Sequence, residues 1–308
     1  MKLSILVTNY NYGHYLEEAV SSLFQNQSLD SFEVLLIDDG STDESHSVIE
    51  KLIQKFPAIR CFKQQRNGGQ EAALEVAFQH ARGEYLHPFA ADDVMLAGSI
   101  DRMLDYFKRY PEIPCFCSDN AYFFADRTGT IEIAKTIDTS LFHFFAPRAV
   151  YQLFAHTDFW IPGHTIFAKK EIYLQYTPFD KQLKFLNDWW VNHRMALKEG
   201  VGYIPEAIST QRRHHASFSA SASLESKRGV WLYLFKLLEK NPIELQPLYR
   251  SGIFRSFGLR AIYKDLLKTP RYWKYLAPMC RKILEKKIAD LLFLPRERFW
   301  LYISKFKK

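Results

Sequence analysis

Cysteine is scarce in this chain: 308 residues carry four, Cys61, Cys115, Cys117 and Cys280. Four cysteines make neither a disulfide scaffold nor a zinc cluster. Cys115-x-Cys117 sets two thiols on one strand face without the two-residue spacing of a metal knuckle. Long apolar runs are missing too. The longest, Val230–Phe235, falls far short of the ~18 residues that a membrane-spanning helix needs. Met1-Lys2 leads straight into Leu3–Val7, which is too short for the apolar region of a secretory signal and has no small-residue cleavage site. These absences are read as a reduced, cytoplasmic protein. Glycine-rich phosphate loops are also lacking. No G-x-G-x-x-G follows the first strand and no G-x-x-x-x-G-K-[ST] occurs anywhere, which argues against nicotinamide and ATPase-type sites. At 47% hydrophobic and 24% charged residues, disordered, collagenous and coiled-coil compositions are excluded.

Positive charge is present but confined. The segment Lys268–Lys308 holds 12 Lys and Arg against 3 Asp and Glu, whereas residues 1–267 hold 29 basic and 31 acidic side chains. A body without surplus cations is not a nucleic-acid binder, because such binding needs basic groups along the working surface. In the tail, Leu284, Ile288, Leu291 and Leu292 form an apolar stripe beside Arg281, Lys282, Lys286 and Lys287, and Phe299, Trp300, Tyr302 and Phe306 follow. Two readings stand for it: a peripheral anchor at a membrane surface, or a helical lid with a solvated basic face. Oligomeric state is left open.

The first ~120 residues alternate between the periods of strand and helix. Leu3–Val7, Phe32–Ile37, Ile59–Phe62 and Glu84–His87 read as buried strands. Helices are predicted over residues ~14–25, over Val48–Phe56, over Gln70–Ala81 and over Ala97–Tyr110. Ser41-Thr42-Asp43-Glu44 fits a capping box ahead of the second helix. Repeated strand–helix units predict an α/β fold with a mainly parallel sheet and helices on both faces. Ligands in such sheets bind beyond the carboxyl ends of the strands. Thr8–Asn11, Asp38–Asp43, Asn67–Gln70 and Asp92-Asp93 all fall there. Farther on, Phe185–Leu197 reads as an aromatic-rich helix, Val201–Thr210 as a strand pair or edge, Arg212–Ser223 as a loop, and the rest as helical. The organisation expected is a domain over residues 1–224, with a nucleotide half to about 120 and an acceptor half after it, and a helical, basic extension over 225–308.

Carboxylates at strand ends cannot cradle a pyrophosphate directly, since like charges repel. They can hold a divalent cation that neutralises it. The acidic turns therefore point to metal-assisted nucleotide-sugar or phosphoryl chemistry.

The string Ser4-Ile5-Leu6-Val7-Thr8-Asn9-Tyr10-Asn11, followed by Glu33 through Asp43 with its Asp38-Asp39-Gly40 turn, resembles the opening of the family 2 glycosyltransferases. So do Asn67-Gly68-Gly69-Gln70, Ala81-Arg82-Gly83-Glu84-Tyr85, Ala91-Asp92-Asp93, Gly163, Phe179-Asp180, Asn187-Asp188-Trp189 and Arg212-Arg213-His214. The resemblance covers roughly residues 3–220. It implies a GT-A fold and an inverting enzyme that moves a sugar from a nucleotide donor to a hydroxyl of a glycan or lipid-linked acceptor, in cell-surface polysaccharide synthesis.

It also implies roles for particular residues. Thr8, Asn9, Tyr10 and Asp39 would hold base and ribose, with a carboxylate accepting the imide N–H of uracil, which favours UDP. Asp38 and Asp39 have a plainer reading as helix caps. Gly69 would bring bare backbone close to the ligand, or simply form a turn. The family's D-x-D motif survives as Asp92-Asp93, with Ala90 in place of the first Asp. Asp93 would ligate Mg²⁺ or Mn²⁺ and Asp92 would face the ribose or a metal-bound water, the two being interchangeable. Asp188 would be the general base. Its usual Glu neighbour is Asn187 here, an amide that cannot reinforce the charge, so a less raised pKa is expected. Arg213 would pair with a phosphate and His214 would complete the metal shell, or both sit on a surface loop. Trp160, Trp189 and Trp190 are read as core rather than as sugar platforms. Two other functions stand beside transfer. One is a degenerate nucleotide-sugar or partner-binding module. The other, a nucleotidyltransferase, is disfavoured because Asn9–Gly13 carries no basic side chain.

Overall fold

A computed structural model describes residues 1–26, 31–125, 130–135, 137, 139–157, 159–240, 248, 268–270 and 273. The first half alternates as the periodicity predicts: β1 (Leu3–Asn9), α1 (Gly13–Ser22), β2 (Phe32–Asp38), α2 (Ser45–Lys55), β3 (Ile59–Lys63), α3 (Gln70–His80), β4 (Tyr85–Ala90), β5 (Val94–Met95) and α4 (Ser99–Arg109). Then come β6 (Cys115–Phe124), β7 (Glu132–Ala134), β8 (His143–Phe145), α5 (Pro147–His156), β9 (Phe167–Lys169), α6 (Lys170–Tyr173), α7 (Asn187–Glu199), β10 (Val201–Arg213), α8 (Phe218–Ser221) and α9 (Leu224–Lys240).

The strands form one sheet in the order β3-β2-β1-β4-β9-β6-β10-β5, with β7 on β6 and β8 on β10. The long pairings, β3 with β2, β2 with β1, β1 with β4 and β6 with β10, are parallel, and the antiparallel ones are two or three residues each. The expected mainly parallel sheet is present. The β6–β10 register slips between Ile204 and Ala207, where Pro205 has no N–H to give the ladder.

Strand alternation sorts the core into two layers. Leu6, Leu35 and Ile37 face one cluster with Ala77 of α3, Phe154 of α5, Met195 of α7 and Trp231 of α9. Ile5, Val7, Val34 and Leu36 face the other, with Leu16 and Val20 of α1, Ile49 of α2 and Met103 of α4. A sheet covered on both sides explains why β2 is buried at every position. Cys115 and Cys117 share the first cluster while Phe116 joins the second, as the one-face reading requires. Cys61, Cys115 and Cys117 are free thiols, and burial pushes Cys61 up to about 11, so none is poised as a nucleophile. Trp189 and Trp190 are core residues, with Trp160 packed against them.

Two boundaries differ from expectation. Ser41 does not cap α2: its hydroxyl bonds Asp38 and accepts from Asn9 and Asn11, while Asp43 accepts the Ser45 N–H. β10 runs on through Arg213, so Arg212 and Arg213 are strand residues rather than loop residues. The first helix beyond residue 224 contributes Val230, Trp231, Leu234 and Phe235 to the main core. The amphipathic tail over Arg281–Lys308 lies outside the described residues. Among the described residues, no helix is long and apolar enough to cross a membrane.

Candidate active site

The carboxyl ends of β1, β4 and β10 and the first turns of α3 and α7 surround one open cleft of about 180 Å³. Thr8, Glu71, Asp92, Asp93, Asp188 and Arg212 are among its lining residues. Strand ends and helix N-termini meet here because every parallel strand enters the sheet from the same side.

Asp92 and Asp93 follow β4 directly. Asp93 is buried, and its Oδ1 accepts the Arg212 N–H at 3.1 Å. Burial and then the charge of Asp92 push its carboxyl well above the usual range, with Arg212 opposing. His214 Nε2 lies 2.8 Å from Asp92 Oδ2, and its ring stands edge-on to Tyr12 and tilted against Tyr15. The structure thus brings Asp92, Asp93 and His214 to one edge. Hard carboxylate oxygens from adjacent residues, gathered with an imidazole at one edge, fit a divalent cation such as Mg²⁺ or Mn²⁺. They are not a closed cage. Among the described residues, the group of three His, Cys, Asp or Glu residues whose ligand atoms all lie within 4.8 Å of one another is His14, Asp43 and Glu44. That group has a structural explanation: Asp43 accepts the N–H of Gly13 and of Ser45, the first residues of α1 and α2.

Asp188 opens α7. The residue is exposed toward the cleft, and its Oδ1 accepts the Trp189 N–H at 2.7 Å. A Cβ on Gly163 would collide with Asp188 Oδ2, so residue 163 has to be glycine for the carboxylate to sit where it does. Desolvation by the protein atoms packed around the carboxylate first, and the charge of Glu71 in addition, push Asp188 up to about 6, against the pull of backbone N–H groups. Asn187 Nδ2 donates to Glu71 Oε1 at 2.7 Å, so the residue that lacks a charge holds one in place. Glu71 went unread because only tertiary packing brings α3 to α7.

Other expected contacts are rearranged. Asn9 is turned inward, its amide donating to Asp38, Ser41 and Ser45, so it shapes the β1 turn rather than facing a ligand. Tyr10 is exposed at the rim. Asp39 is buried beneath the Asn67–Gly69 turn, where its two oxygens accept the Gly68 and Gly69 N–H at 2.8 Å each; it does not line the cleft. Burial raises its carboxyl, with the two amides opposing. Gly69 serves through its backbone, at φ +91°, a value that disfavours any side chain. Arg213 is corrected as well. It lies exposed over the Tyr122 ring, on the opposite face of β10 from Arg212. Arg212 is the cleft cation: Nε donates to the Asp92 carbonyl, Nη2 pairs with Glu18, and the guanidinium lies 4.6 Å from the Tyr15 ring centre.

The comparisons with known proteins agree with this fold. The model of the family described as glycosyl transferase family 2 matches residues 4–159. The minor teichoic acid biosynthesis protein GgaB of Bacillus subtilis is 22% identical over 97% of this chain and 34% of its own length. An uncharacterized glycosyltransferase of Nostoc is 36% identical over 35% of this chain and 33% of its own length. The chain thus spans about a third of the length of these curated relatives. Among solved structures, Staphylococcus aureus TarS residues 1–349 in complex with UDP-GlcNAc aligns with a TM-score of 0.64 at 17% identity, covering 90% of this chain and 80% of that one. A Pyrobaculum calidifontis mannosyltransferase in complex with GDP-Man and Mn²⁺ aligns at 0.60 and 15% identity, covering 99% and 84%. The fold is theirs.

Proposed function

The chain belongs to glycosyl transferase family 2, and on that premise we propose that its cleft binds a nucleotide-sugar, with UDP as the nucleotide, and transfers the sugar to an acceptor hydroxyl with inversion. The observation that carries this reading is the position of Asp188: a carboxylate open to the same cleft as an acidic pair suited to a cation, and raised to about 6 by desolvation among the atoms packed around it. A base in that range is ionised at neutral pH yet basic enough to take a proton in the transition state. As the acceptor oxygen bonds to the anomeric carbon, its proton passes to Asp188. The bond from that carbon to the diphosphate breaks with its electron pair on the departing oxygen. One carboxylate suffices, because the second of a glycosidase pair is needed there only to protonate a poor leaving group or to form an intermediate.

Asp92 and Asp93, with His214, are the residues that would hold Mg²⁺ or Mn²⁺; when bound, such an ion neutralises charge on the diphosphate. Arg212 adds a fixed cation at the same edge. Thr8 and Tyr10 at the end of β1 are assigned to the nucleoside. Asp39, beneath the Asn67–Gly69 turn and outside the cleft, is assigned to holding that turn against the base. The names of the relatives support a surface polymer as acceptor, the GgaB name a teichoic acid. The basic tail fits attachment at an anionic membrane surface, where such a polymer is built. The degenerate-module reading rests on Ala90 and Asn187; at Asn187 the bond to Glu71 sets a carboxylate beside Asp188, which favours the enzyme.

The test is a donor panel of UDP-, GDP- and dTDP-sugars, read by thermal shift and by release of the nucleoside diphosphate with Mn²⁺ present. Stabilisation and release with a UDP-sugar, both abolished by Asp93→Ala, is the expected result. Stabilisation without any release, with release absent for every donor, would favour the binding module.

A further inference from the structure

Asn192 is fully buried, and neither end of its side-chain amide has a hydrogen-bond partner. It stands four residues after Asp188 on α7, one turn along the same helix face, and it lines the same cleft. Two more buried atoms on that cleft are also unpartnered. One is His164 Nε2, whose ring is otherwise bonded to the Ala121 backbone; the other is Asn187 Oδ1, whose Nδ2 is engaged by Glu71. Burial holds His164 down to about 3, so its ring is neutral and carries an acceptor nitrogen.

A buried polar group left unpaired is costly, and native proteins keep few of them. Three on one cavity wall call for a ligand. An anion is disfavoured there by Asp188 and Glu71, and an apolar ligand would leave every group unpaired. A row of hydroxyls, each both donor and acceptor, matches an amide with both ends free flanked by two acceptors.

We propose that Asn192, with Asn187 Oδ1 and His164 Nε2, forms the subsite that reads the hydroxyl groups of a pyranose ring, and that Asn192 determines specificity. The proposal rests on the nucleotide-sugar reading. The ring is that of the donor or of the acceptor; the chemistry is shared and the experiment separates them.

The variant is Asn192→Leu, which removes both unpaired ends at similar volume. Wild type and variant are titrated calorimetrically with UDP, UDP-GlcNAc, UDP-glucose and GDP-mannose in Mn²⁺. Transfer to a panel of methyl pyranosides is measured alongside. For a donor subsite, the variant loses at least about fivefold of the affinity that the nucleotide-sugar has over its free nucleotide, while the free nucleotide binds as before. An acceptor subsite leaves donor affinity intact and flattens the preference among pyranosides. Should Asn192→Leu not fold, Asn192→Ser, shorter but polar, is read in the same way. Preferences for donor and pyranoside both unchanged would overturn the subsite, as would lowered stability alone, the mark of a buried water partner. A wild type that binds no nucleotide at all would instead overturn the reading beneath it.

Discussion

Asn187 Nδ2 donates to Glu71 Oε1 at 2.7 Å, tying the first turn of α7 to the first turn of α3 across the cleft. Through this bond an uncharged residue beside Asp188 supplies a carboxylate from elsewhere in the chain, and that carboxylate raises Asp188. Glu71→Gln keeps an acceptor for Asn187 and removes the charge. Its expected effect is to move the acidic limb of the pH–rate profile downward. Asn187→Ala, which releases the Glu71 side chain, is expected to move it in the same direction. Unmoved profiles in both variants would mean that Glu71 does not act on the base.

Asp188 itself gives a two-sided prediction. The wild-type rate should fall below pH about 6, where the carboxylate takes up its proton and can accept no other. Asp188→Asn should lower kcat by about 10²–10⁴-fold. Its stability should move the opposite way. A carboxyl whose folded pKa lies above 3.8 favours the folded state fully below that value, and the benefit is lost as pH climbs through about 6. The Asn variant should therefore melt higher than wild type at pH 7.5 and show no such gain at pH 3.8 or below. Thermal unfolding at the two pH values checks the sign.

Gly163 packs against Asp188 with no room for a methyl group. Gly163→Ala is expected to swing the carboxylate out of line and lower kcat by about 100-fold, the scale of a misplaced catalytic group. UDP affinity, measured by calorimetry, should stay unchanged, because the nucleotide edge is built by β1 and β4.

Arg212 and Arg213 separate by strand alternation. Arg212→Ala should weaken UDP binding at least tenfold, since a buried cation bonded to the Asp92 carbonyl is lost. Arg213→Ala, exposed over Tyr122, should bind as wild type does. The reverse ranking would return the diphosphate contact to Arg213.

Much of this was legible before any coordinates. The apolar runs of β1, β2 and β4 and the acidic turns behind them follow from local pattern, so the rim carrying Thr8, Asp92 and Asp93 was foreseen. Asp188 was found by resemblance, and the structure brings it to the same cleft as Asp93. What was missed depends on contacts distant in sequence. Glu71 looked like an ordinary first-turn acid of α3. Asn192 lay hidden in an aromatic helix whose neighbours are core. Arg212 was exchanged with Arg213 because β10 extends three residues past the expected Thr210, which decides the face of each. Asn9 looked like a ligand group because it stands at a strand end. Only the hydroxyls of Ser41 and Ser45 and the Asp38 carboxylate, brought together by the turn, show that its amide nitrogen is committed.

The most direct test of the central claim is calorimetric titration of the wild-type chain with UDP, in Mn²⁺ and then in EDTA. Asp92 and Asp93 repel a bare diphosphate, so the account predicts saturable binding with Mn²⁺ and none in EDTA, with Asp93→Ala behaving in Mn²⁺ as wild type does in EDTA. UDP binding of equal strength with and without the metal would contradict it.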